Sequence, residues 1–177
     1  MVEPNSGLRE LLIRDATAAD NEAIMALTVG AYEPYAAVIG PEWWTGYREG
    51  LSAALFEDSA ARRIVAESTG HLLGSVLFYP GSTQQGTDPA RVRLLAVDPA
   101  ARGRGVGGAL MEECVRRARA EGAAALRLHT MEPMVVARRM YERMGFQRQP
   151  DDDFQPVAGV TVLGYWLDLT RPGDRNR

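Results

Sequence analysis

The sequence contains no lysine; all 20 of its basic residues are arginine. That absence removes the phosphate-binding P-loop, which needs a lysine next to serine or threonine after its glycines. Arginine in place of lysine is read here as composition rather than function. Cysteine occurs once, at Cys114, which excludes an intramolecular disulfide. Cys114 falls on the apolar side of a predicted helix and reads as a buried thiol, not a nucleophile. No apolar run reaches the roughly 20 residues of a membrane span. The opening residues MVEPNSGLRE are polar and show no signal-peptide pattern. The expectation is a cytoplasmic protein with no membrane partner. Excess positive charge is also lacking: the net charge is −3, which gives no reason to expect a nucleic-acid partner. There is no internal repeat, and the one biased segment is the Arg-rich tail, 171–177. The remainder is ordinary for a globular protein, 46% apolar and 24% charged over 177 residues. One domain over 1–177, with its core at about 8–170, is expected.

Periodicity and breakers give the order of elements. Residues 8–15 read as a strand, with Leu11 and Ile13 on one face. Thr17 to Asp20 resembles a capping box, and a helix carrying Ile24, Leu27 and Thr28 follows. Tyr32, Tyr35, Trp43, Trp44 and Tyr47 crowd a stretch bent by Pro34 and Pro41, which leads into a helix at about 43–56. These rings either pack the helix pair onto the sheet or wall a pocket. The packing reading is preferred for Trp43 and Trp44. Residues 63–67 and 72–79 read as a hairpin turning at Gly70, with His71 a solvated turn residue. A polar loop spans 80–89. Strand, helix, strand and helix then follow at 91–97, 106–121, 125–129 and 134–144. Phe146 begins another strand and 160–169 is the last. Asp151, Asp152 and Asp153 read as a solvated connection, because three adjacent carboxylates cannot all point at one ion. No metal is expected. The fold class is α/β in mixed order, βααβββαβαββ, with a central, mostly antiparallel sheet flanked by helices.

The most informative stretch is 91–108, RVRLLAVDPAARGRGVGG. A strand runs through Asp98-Pro99 into a glycine-rich loop that opens a helix. Free N–H groups and the positive end of the helix dipole make such a loop a pyrophosphate site. Gly103-x-Gly105-x-x-Gly108 satisfies the dinucleotide pattern literally. The next strand, however, ends in His129-Thr130 rather than an acidic residue, and too little chain follows for a Rossmann sheet. Arg102-Gly103-Arg104-Gly105-Val106-Gly107 instead fits Arg or Gln, two residues, Gly, one residue, Gly or Ala. Downstream, 137–146 reads A-x-x-x-Y-E-x-x-G-F, from Ala137 through Tyr141 to Phe146. In these two blocks, at this spacing, the chain resembles the GNAT superfamily of N-acetyltransferases over about 91–146.

That resemblance implies an acyltransferase using acetyl coenzyme A as co-substrate, with a small-molecule or protein amine as acceptor and a homodimer left open. It implies that Leu95, Ala96 and Val97 offer backbone groups to the pantetheine. Residues 126–130 would form the opposite wall, and the N–H near Val97 would meet the oxyanion. Gly103, Arg104, Gly105, Val106, Gly107 and Gly108, with Arg102, would hold the pyrophosphate; Ala137 would lie beside the cofactor. Tyr141 would protonate the departing thiolate. Tyr32, Glu33 and Tyr35 would border the acceptor. Two positions depart from the family pattern. Met134 stands where members often carry Asn. Arg91 and Arg93 occupy the fourth strand, where many members place a Glu, and no carboxylate follows before Val97. The base is sought among Glu33, His129, a water chain and bulk solvent. A non-catalytic coenzyme A binding module, and an enzyme acting on protein N-termini or lysines, are the competing readings. A cleft plugged by Trp43 or Trp44 would favour the module, and a wide open groove would favour a protein acceptor.

Overall fold

The computed structural model describes residues 11–81 and 88–170. The expectations for 8–10, for most of the 80–89 loop and for the 171–177 tail lie outside the described residues.

Period-two alternation divides the apolar residues of the strands between two faces. On β2 (Arg62–Ser68), Ile64 and Ala66 enter one buried cluster and Val65 the other. On β3 (His71–Tyr79), Val76 and Phe78 go one way, Leu77 and Tyr79 the other. Helices cover both faces. The first cluster is closed by α4 (Val106–Ala120) and by Tyr141 of α5 (Val135–Arg143). The second is closed by Ile24 of α1 (Asn21–Tyr32) and by Leu51 and Leu55 of α3 (Pro41–Phe56). Between those helices lies the four-residue α2 (Ala36–Ile39), which the sequence reading did not resolve.

The sheet also contains β1 (Leu12–Asp15), β4 (Ala90–Val97), β5 (Ala125–Met131), β6 (Gln147–Arg148), β7 (Phe154–Val157) and β8 (Val160–Asp168). Its order is β1-β2-β3-β4-β5-β8-β6, with β7 pairing β8. Among the described residues only β4 and β5 run parallel. This is the expected mixed, mostly antiparallel sheet, with β7 added. The two-residue hairpin turn uses Thr69 and Gly70, at φ 52° and 79°, the positive pair that matches strand twist.

Val106, Leu110, Cys114 and Ala118 recur every fourth residue on α4 and are all buried. Burying one leucine such as Leu110 contributes about 1.5–3 kcal/mol. Gly74 lets α4 lie this close to β3. A Cβ there would come within 2.9 Å of Leu110 and Val106 side-chain atoms and 3.0 Å of the Ala96 carbonyl. The far end of α4 is tied to β1, because Arg117 bridges Asp15 and Glu113.

The site is created by an irregularity. β3 and β4 shift register between Ser75/Ala96 and Leu77/Arg93, so Leu94 and Leu95 both face Val76. Leu94 takes φ 50°, the left-handed region, which costs a non-glycine residue about 1–2 kcal/mol. Such a bulge bends and twists its strand. On the other side of β4, pairing with β5 stops at Val92↔Leu128. Beyond that point the two parallel strands part, and the slot expected from the resemblance opens between them.

Candidate active site

A cleft of about 1150 Å³ opens at this parting. The ends of β4 and β5 form its sides, and Val106, Gly107 and Gly108 of α4 border it. Met134, Ala137, Met140 and Tyr141 close one face. Tyr32, Tyr35, Trp43, Trp44 and Tyr47 cover the other.

Val97 lies opposite Gly74 in the β3–β4 ladder, at a position where its amide does not bond to β3. Asp98 N–H donates to the Leu73 carbonyl at 2.9 Å, toward β3. By the alternation of an antiparallel pair, Val97 N–H turns the opposite way, into the parting from β5. Ala96 is buried and contributes no side chain to the cleft. Leu95 lines the cleft, and its carbonyl accepts the Tyr32 hydroxyl at 3.3 Å.

The glycine loop fits a pyrophosphate. The N–H groups of Gly103, Gly105, Val106, Gly107 and Gly108 make no backbone hydrogen bond among the described residues. Gly105, at φ 83°, turns the chain into α4, and a Cβ on Gly103, Gly105 or Gly108 would meet nothing within 4 Å. The backbone is therefore bare where an anion would sit, at the positive end of a 15-residue helix. Arg102 lines the cleft and donates to the Ala31 carbonyl at 3.3 Å, linking the loop to α1. Arg104 is not among the lining residues.

Tyr141 lies at the cleft wall from the side of α4. It is 5% exposed, with its ring 5.8 Å from Phe146 and 6.2 Å from Tyr165. Burial, and to a smaller degree Cys114, raises its pKa, so the phenol stays protonated at neutral pH. Its hydroxyl has no hydrogen bond among the described residues. Met134, at the family's Asn position, caps α5 and accepts a weak contact from Thr130 Oγ1 at 3.5 Å.

The acceptor expectations need two corrections. Glu33 is exposed and does not line the cleft, because the turn at Glu33–Tyr35 points it to solvent. Tyr32 and Tyr35 are at the cleft, as expected. Trp43 and Trp44, read as packing, stack on Tyr47 with ring centroids 5.1 and 5.9 Å apart and wall the cleft. They line it without filling it. Burial pushes Tyr47 up to about 12.

Of the four candidate bases, His129 is the side chain at the cleft. Its Nε2 is 3.2 Å from the Asp152 carbonyl. A carbonyl only accepts, so Nε2 carries the hydrogen and Nδ1 keeps the lone pair. His129 is exposed, and the partial desolvation of its ring, with Arg127 assisting, lowers its pKa against the opposing pull of Asp152 and Asp153. Two of the three aspartates are held in a structured turn rather than a solvated connection, while Asp151 is exposed. Asp152 pairs with Arg127 at 3.1 Å and Asp153 with Arg148 at 2.8 Å.

Trp43, Trp44 and Tyr47, for which packing and a pocket wall were both open, line the cleft; the residues missed from the sequence as lining are Arg91, Arg93 and Arg127. The arginines had a signal: they alternate with the buried Ala90, Val92, Leu126 and Leu128.

Among the described residues no helix is long and apolar enough to cross a membrane. Residues 17–146 match the family described as Acetyltransferase (GNAT) family. A curated mycothiol acetyltransferase of Cellulomonas flavigena is 35% identical over 124 residues, 63% of this chain and 36% of its own length. The chain thus spans about a third of that relative. A GCN5-related N-acetyltransferase structure from Kribbella flavida is 27% identical, with TM-score 0.65, over 89% of this chain and 97% of its own. The structure of yncA from Salmonella typhimurium, with its cofactor acetyl-CoA, matches at TM-score 0.64 over 94% and 98%; at 19% identity it bears on the fold alone. The chain belongs to the acetyltransferase (GNAT) family, the family that its two motifs implied.

Proposed function

We propose that this chain transfers the acetyl group of acetyl coenzyme A to the nitrogen of a small-molecule amine in the cytoplasm. The observation that carries the reading is the cleft itself. Bare loop amides, a Val97 N–H that does not bond to β3 and a protonated Tyr141 open into one slot, whose outer wall is aromatic. The loop amides of residues 103–108 and Arg102 hold the pyrophosphate, and the exposed edge of β4 at 95–97 aligns the pantetheine. The amine attacks the thioester carbon as a neutral nucleophile, and His129 Nδ1 takes its proton. Val97 N–H stabilises the oxyanion. When the carbon–sulfur bond breaks, the Tyr141 hydroxyl supplies the proton that turns thiolate into thiol. An aromatic-walled pocket favours a metabolite-sized acceptor over a protein chain, and walls that leave the slot open favour catalysis over mere binding.

The test is free-thiol release from acetyl coenzyme A with a panel of amines. Binding of acetyl coenzyme A in the micromolar range, and none of note for NAD or ATP, is expected by calorimetry. Tyr141→Phe should lower turnover by about 10- to 10⁴-fold while affinity for acetyl coenzyme A changes little. Equal turnover in that variant, with chemistry rate-limiting, removes Tyr141 from the mechanism.

A further inference from the structure

The acceptor side of the cleft is basic. Arg91 and Arg93 alternate on β4 with the buried Ala90 and Val92, so they point to the face covered by α1 and α3. Their cross-strand partners say the same: Arg93 lies opposite Leu77 and Arg91 opposite Tyr79, both members of the cluster under α1 and α3. Arg127 sits beside Arg91 in the parallel register, and His129 two residues on. All four line the cleft beneath the aromatic wall, and no Asp or Glu lines it among the described residues.

Of these arginines, Arg91 and Arg93 are left without a carboxylate of their own, although Arg93 lies near the Tyr79 hydroxyl, which Asp58 also approaches. Arg127 is balanced by Asp152. Arg91 lies over the Tyr79 ring, 4.9 Å from its centroid. Neither Arg91 nor Arg93 has a carboxylate partner among the described residues, whereas Arg14, Arg62, Arg116, Arg117 and Arg148 each have one. An ammonium group alone would be repelled here. An acidic oxygen group would be held by guanidinium forks, which match its geometry. Arg93 and Val97 lie opposite Leu77 and Gly74, three ladder steps apart across the bulge, roughly 10 Å at a strand's rise. The charge would thus be gripped at the end of the slot away from the pyrophosphate loop, with the amine held nearer Val97.

We infer that the acceptor is an amine carrying an oxyanion, a carboxylate or a phosphonate, held by Arg93 and Arg91 beneath Tyr32, Tyr47 and the two tryptophans. This rests on the acetyl-transfer reading above and names the acceptor class for it. It also replaces an acidic acceptor wall at Glu33 with a basic one.

The test compares matched acceptors on the intact chain: α-, β- and γ-amino acids, their decarboxylated amines and the corresponding aminoalkylphosphonates. Thiol release should favour the anion-bearing member of a pair by roughly 10- to 100-fold in kcat/KM, the span of a hydrogen-bonded charge. Arg93→Gln, and separately Arg91→Gln, should collapse that ratio toward one, chiefly through acceptor KM. A larger ratio for phosphonates than for carboxylates, or the reverse, identifies the oxyanion. Preference for the uncharged member, or a ratio unmoved in both variants, overturns the inference. If no amine releases thiol, the transfer reading fails, and the inference is read directly. Quenching of tryptophan emission by the anionic amines, with coenzyme A present, should then weaken in Arg93→Gln. No quenching by any of them overturns it.

Discussion

His129 is a side chain whose chemistry depends on its neighbours. A histidine serving as base must be neutral, and partial desolvation of the ring lowers its pKa from the ordinary 6.5. Below that shifted value the ring is protonated and cannot accept the amine's proton. The acidic limb of kcat/KM against pH should therefore fall at a pH below 6.5. Arg127, Asp152 and Asp153 face the ring, and Phe154 meets its edge at 5.4 Å. His129→Gln should erase that limb and cost about 10²–10⁴ in rate. A limb that persists unchanged leaves the proton to water. At this scale the sequence was legible where a motif carried residues to the cleft, as with Tyr141 and the loop glycines. Glu33 misled because a carboxylate among aromatic residues gives no sign of which way its turn points it. Arg91 and Arg93 were seen only as the lack of a glutamate, although their alternation with Ala90 and Val92 already assigned them a face.

The element that matters most is the junction from β4 to α4. Gly105 stands there at φ 83°. Alanine would pay about 1–2 kcal/mol for that conformation, and aspartate tolerates it better. Strain and charge can thus be separated. Gly105→Ala should weaken acetyl coenzyme A binding within about tenfold, whereas Gly105→Asp should abolish it by setting a carboxylate beside the phosphates. Calorimetry showing Asp no worse than Ala would remove the loop from the pyrophosphate site. The strand-loop-helix order was legible because glycines, Asp98-Pro99 and four-residue periodicity are local signals. The bulge was not. Leu94 and Leu95 are ordinary strand residues, and their doubling against Val76 is set by the β3 partner, which no local pattern encodes. The strand β7 was missed for a similar reason: Phe154–Val157 includes Pro156 and has β8 as its partner.

At the scale of the molecule, the contact of α4 with the sheet is fastened at one end by charge. Hydrogen bonds from Arg116 and then Arg117 hold Glu113 at about 2, against an ordinary 4.5. The folded value is the lower one, so folding favours the ionised form. That stabilisation is present above pH 4.5 and is lost as pH falls through about 2. Glu113→Gln should lower the thermal midpoint at pH 7, and the difference from the parent should shrink below pH 4.5 and vanish only below about pH 2. A constant difference across that range would assign the loss to packing instead. Beneath the same helix lies Cys114, fully enclosed, its thiol pushed up to about 12 by burial. A sulfur kept un-ionised and out of reach does not react with thiol reagents. The folded molecule is therefore silent in the colour reaction that counts liberated coenzyme A. Each molecule that opens α4 away from the sheet adds one equivalent, so the slow background of that assay is a clock for how often the fold comes apart.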